Sequence, residues 1–267
     1  VTLQELLRNM IPTTSSNPTF RDDMFARARQ EAGHPSETMT VSGTVNKIGI
    51  LLIIATATAS WSWGQVMPSS LPVGGQAAPT GGSGLFMGAA IVGFILAMVT
   101  IFKRTWAPVT APLYAAVQGV FLGAVSATFE SIYPGIAMQA AFGTLSTLGA
   151  MLFCYKSGII KATDGFKRGV VAAGLGLMGL YFFSFILGFF DVQIPMIHEG
   201  GMVGIGFSIF VVGLAALFLI LDFDQIENGE RAGAPMYMEW YGAFCIMITL
   251  VWIYMEMLRL LAKLKEE

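Results

Sequence analysis

The sequence predicts an all-α fold, a polytopic membrane protein built as a bundle of seven transmembrane helices. Of its 267 residues only 12% are charged while 55% are apolar, against roughly 25% charged in soluble domains. The apolar residues also gather into uninterrupted runs close to the ~20 residues a helix needs to cross the hydrocarbon core. A transmembrane barrel would instead read as short stretches of alternating polarity.

Residues 1–47 form a polar segment rich in Pro, Ser, Thr and mixed charges. It is expected to be cytoplasmic and partly disordered, with a short interfacial helix around residues 20–29. No apolar core followed by a small-residue cleavage site occurs in it, so insertion is expected to rely on the spans within 48–267. These fall at about 48–66, 85–102, 111–130, 136–155, 170–190, 202–222 and 241–261. In the third, Gly119 and Gly123 of GVFLG have the spacing that lets two helix backbones approach.

The connections alternate in charge. The stretch PSSLPVGGQAAPTGGSG, the turn IYPG and the segment DVQIPMIHEGG carry no Lys or Arg. KRTWAP carries Lys103 and Arg104, and YKSGIIKATDGFKRG carries Lys156, Lys161, Lys167 and Arg168. The positive-inside rule therefore places the N-terminus and the even-numbered turns in the cytoplasm. Lys263 and Lys265, beyond the seventh span, would then lie on the far side unless the last segment is shallow or re-entrant, and the side of the C-terminus stays open.

Composition excludes several functions. A net charge of −2 gives no basic footprint for nucleic acid. Cys154 and Cys245 lie in apolar runs, where they act as small hydrophobes. His34 and His198 lie outside those runs, so no His/Cys metal cluster and no resident cofactor is expected. GLGLMG at 174–179 matches a dinucleotide fingerprint in form, but it lies inside a span and is read as helix packing. A serine hydrolase lacks its G-x-S-x-G, and a retinal receptor lacks its intramembrane lysine.

The polar residues inside or at the ends of spans are more informative. Glu130 and Asp191 close the third and fifth and are read as solvated at the interface. Gln118 lies deeper and is expected to face the bundle interior. Asp222 ends the sixth run, and Glu256 sits about fifteen residues into the seventh. Ionisable groups at such depth are rare and mark pathways or relays. If the two meet in one dry site, they would share a proton and titrate as a unit. For this the sixth helix must run on through DFDQIEN, with Gly229 and Gly233 as its first stop signals. The bland alternative is a wet acidic turn of Asp222, Asp224, Glu227 and Glu230, with Glu256 paired to Arg259 on its own helix.

LILDFDQIENG followed by WYGAFCIMITLVWIYMEMLRLLAKL resembles the end of the Bax inhibitor/YccA family, also called the transmembrane Bax inhibitor motif family. Asp222 with Gln225 and Ile226 matches the family's D-x-x-Q-I stretch. Ile253, Tyr254, Met255 and Glu256 match its last-helix L-Y-L-D. The resemblance, over roughly 48–261, implies seven helices and a pH-sensing carboxylate dyad of Asp222 and Glu256. It further implies a calcium leak or another cation flux, or regulation of cell death or of a membrane protease, in a bacterial inner membrane. Arg104 is the nearest match to a basic residue that pairs with the sixth-helix aspartate, with Lys103 as substitute. Asp224, Gln225 and Gln118 would be supporting polar groups. Glu256 departs from the usual aspartate, Arg259 would oppose a divalent cation beside it, and the link between the last two helices is longer.

An ion pathway gated by the dyad is therefore expected, with calcium bound only transiently and with lipid, a cation and a membrane protease as candidate partners. The rival expectation is a non-conducting regulator that binds a membrane protease or another membrane partner, with the N-terminal segment as its handle. An intramembrane aspartyl protease is disfavoured, since the chain has LDFD and YMEM where those enzymes carry Y-D and G-x-G-D.

Overall fold

The computed structural model describes residues 38–67, 82–188 and 201–266. They form seven α-helices: α1 Val41–Val66, α2 Gly82–Phe102, α3 Ala107–Ile132, α4 Ile136–Lys156, α5 Asp164–Gly188, α6 Met202–Arg231 and α7 Tyr237–Glu266. A 3₁₀ turn, Arg104–Trp106, joins α2 to α3. Six helices are long and apolar enough to cross a membrane, and α2 adds a shorter apolar stretch, Phe86–Phe102. The chain is thus an all-α polytopic membrane protein. The interfacial helix around 20–29, His34, His198 and Asp191 lie outside the described residues.

Three helices form the centre. Half of the apolar window of α3, α6 and α7 is buried, against 17% for α1 and 24% for α5. Tyr114 of α3, Leu219 of α6, and Tyr241, Phe244, Ile246 and Ile253 of α7 share one core cluster. The glycines of GVFLG act as their spacing predicts. A Cβ on Gly119 would meet Thr58 Oγ1 at 2.0 Å, and one on Gly123 would meet the Ala59 carbonyl at 2.2 Å. Only glycine lets α3 lie this close to α1.

Several helices extend beyond their apolar runs, α1, α6 and α7 the furthest. α1 begins at Val41 rather than 48, because the residues at its start find partners in the α6–α7 turn and the first turn of α7. Met39 N–H donates to the Ala234 carbonyl at 2.7 Å, and Lys47 Nζ reaches Glu239 Oε2 at 2.5 Å. α6 continues nine residues past 222, through DFDQIEN, to end at Gly233 with φ 63. Side chains satisfy its charged end: Lys167 pairs with Asp224 at 2.6 Å, Tyr155 donates to Glu227, and Arg231 pairs with Glu227 at 2.6 Å. α7 in turn fills residues 237–266 rather than 241–261.

The two ends of the chain's described portion fall on opposite faces of the bundle. The start of α1 meets the α6–α7 turn on one face. On the other, Tyr133 OH donates to Glu266 Oε1 at 2.8 Å and Lys265 Nζ to the Pro134 carbonyl at 2.9 Å. The last segment is a full 30-residue helix, so it is neither shallow nor re-entrant. Glu130, expected to be solvated, instead caps α4 by accepting from Gly135 N–H at 2.5 Å and Ala137 N–H at 3.1 Å.

Candidate functional site

α6 and α7 are antiparallel neighbours, and their seam holds the buried acids. Because α6 continues past residue 222, Asp222 lies about 14 Å before the helix end at Arg231, inside the bundle rather than at its rim. It is 3% exposed. Its Oδ2 accepts from Thr249 Oγ1 of α7 at 2.6 Å. Among the described residues no cation pairs with it.

The pairing of Asp222 with Glu256 is corrected by this register. The residue opposite Asp222 is Thr249, and Glu256 lies two turns further along α7, about 10 Å away at 1.5 Å per residue. Glu256 is 2% exposed and has its own partners: Arg259 Nη1 at 2.5 Å on the same helix, and the Tyr181 hydroxyl of α5 at 3.3 Å. Both carboxylates are buried, as expected, but they occupy separate stations and share no hydrogen bond.

Arg104, expected as the counter-charge of Asp222, makes no ion pair with it. Its guanidinium lies over the Tyr241 ring, 5.7 Å from the centroid, and its Nε is buried with no hydrogen-bond partner among the described residues. Cys245, one turn before Thr249, lies within electrostatic reach of both Asp222 and Arg104. Both cysteines are free thiols. Lys103 turns to the Trp106 ring at 4.9 Å.

The supporting groups divide between the core and the rim. Gln225 is buried one turn beyond Asp222. Asp224 sits at the wetter edge, held by Lys167 and by Asn228 Nδ2 at 2.9 Å. Gln118 does face inward, but its Oε1 finds no partner among the described residues. No group of three or more His, Cys, Asp and Glu side chains among them could hold a metal ion. Thr249 and Tyr181 escaped the sequence reading. The signal for Thr249 was present, as a hydroxyl midway along CIMITLVW; for Tyr181, in an aromatic-rich span, there was none.

Fold and site together define a polytopic helical membrane protein with an uncompensated acid between its last two helices. The chain belongs to the Bax inhibitor family: the family described as Bax inhibitor 1 like matches residues 17–266. Among curated proteins no sequence matches it.

Proposed function

We propose that the protein is a pH-sensitive cation pathway, with calcium as the candidate ion, in which Asp222 rather than a shared dyad is the responsive group. One observation supports this above others: Asp222 is buried with a single hydroxyl donor and no cation. An ionised carboxylate in such a place is costly unless a proton or a passing cation neutralises it. Either occupant changes the charge at the α6–α7 seam and so shifts the balance between two packings of these helices. Glu256, already neutralised by Arg259, is the weaker candidate for this exchange and the poorer ligand for a divalent ion.

Reconstitution in liposomes with a calcium dye, scanned from acid to neutral pH, tests the reading. Wild type is expected to pass calcium with a clear pH dependence. Asp222→Asn is expected to lose that dependence, and Glu256→Gln to keep it. Absence of flux from wild type at every pH would overturn the proposal in favour of a non-conducting regulator of a membrane partner.

A further inference from the structure

α5 carries Lys167, Gly174 and Tyr181 at two-turn intervals, and each meets the α6–α7 seam at a different depth. Lys167 pairs with Asp224 at 2.6 Å. Tyr181 donates to Glu256 at 3.3 Å. Between them, Gly174 receives the ring of Phe218 from α6: a Cβ on Gly174 would lie 2.6 Å from Phe218 Cζ and 2.9 Å from Cε2. The ring therefore rests on bare α5 backbone. Its other side meets Trp252 of α7, with centroids 5.7 Å apart and planes at 61°.

Along the seam this aromatic pair stands between the two acids. Phe218 is one turn from Asp222 on α6, and Trp252 one turn from Glu256 on α7, so each ring lies about 6 Å along its helix from a carboxylate. Leu177, Leu214 and Leu221 pack in the same apolar cluster. A cation or water passing from the Glu256 station to the Asp222 station meets two rings whose one polar group is the Trp252 indole N–H, a donor with no acceptor to offer a cation, and an apolar constriction of this kind closes a pathway by excluding water.

We infer that Phe218 and Trp252 form the hydrophobic gate of the pathway, separating a Glu256–Arg259 vestibule from the Asp222–Thr249 site, with Gly174 as the seat that keeps the gate closed. The inference rests on the cation-pathway reading. It also gives one glycine of GLGLMG a role, since Gly176 and Gly179 meet nothing within 4 Å. Opening requires Phe218 to leave its seat on Gly174.

The test uses full-length protein in liposomes with Cys154→Ser, and two readouts: calcium flux, and labelling of native Cys245 by a water-soluble thiosulfonate. Cys245 is buried one turn from Thr249 on the Asp222 side. Phe218→Ala and Trp252→Ala are expected to raise flux several-fold and to make Cys245 reactive. Gly174→Ala, which displaces the ring, is expected to do the same to a smaller extent. Trp252→Phe keeps a ring and is expected to stay near wild type, as is Phe210→Ala on the exposed face of α6. Unchanged flux and unchanged labelling in folded Phe218→Ala and Trp252→Ala would overturn the gate while leaving a conducting wild type, and with it the pathway, intact. Absence of flux from every protein would instead overturn the pathway, even where Cys245 becomes reactive.

Discussion

Glu239 and Asp222 are buried alike, 4% and 3% exposed, yet their surroundings are opposite. Glu239, at the start of α7, accepts from Lys47 at 2.5 Å and from Thr40 N–H and Thr40 Oγ1 at 2.9 Å each. Asp222 has the Thr249 hydroxyl alone. The first acid is a finished structural clasp that ties α1 to α7. The second is left with charge to be neutralised from outside. Burial therefore does not distinguish a functional carboxylate here, whereas its partner set does.

The comparison can be broken most directly at the clasp. Glu239→Ala strands Lys47, which is 15% exposed, and is expected to cost about 3–5 kcal/mol of stability, read by thermal denaturation in detergent. A cost as small as that of a surface pair would mean that Glu239 is not holding α1 in place. By contrast Asp222→Asn keeps an acceptor for Thr249 and is expected to cost under ~1 kcal/mol while altering the pH response of flux. A larger loss from Asp222→Asn than from Glu239→Ala would reverse the assignment of structural and functional roles.

Thr249→Val sharpens the comparison from the other side. It preserves shape but leaves Asp222 without its donor, with an expected loss of about 1–3 kcal/mol, and Thr249→Ser is expected to restore most of it. The smallest effect is expected at the rim. Arg231, 67% exposed in its pair with Glu227, should cost under ~0.5 kcal/mol when changed to Ala, since exposed i,i+4 pairs contribute little.

The same contrast shows what was legible before the structure. Span number and the positions of Asp222 at the end of one apolar run and Glu256 within another follow from the transfer energetics of single residues, which a linear pattern records. GVFLG foretold a close helix contact because only glycine permits one. Glu130 reads as a solvated charge at a span end, yet it finds partners at the start of the next helix, as Lys47 of the polar N-terminal segment finds Glu239 of α7. The identity of the acid's partner was read as Glu256 because motif likeness carries residue types but not the sliding register between two helices.

The sequence by itself determined that this chain is a helical membrane protein with acids where hydrocarbon would be expected, because hydrophobicity is additive along the chain. Tertiary structure alone decided that Asp222 faces Thr249, that the Tyr181 hydroxyl joins Glu256 beside its same-helix partner Arg259, and that two rings stand between the acids. At 1.5 Å per residue, the register between neighbouring helices decides the contacts made across them, and it is set by how whole helix faces pack, which no local stretch specifies.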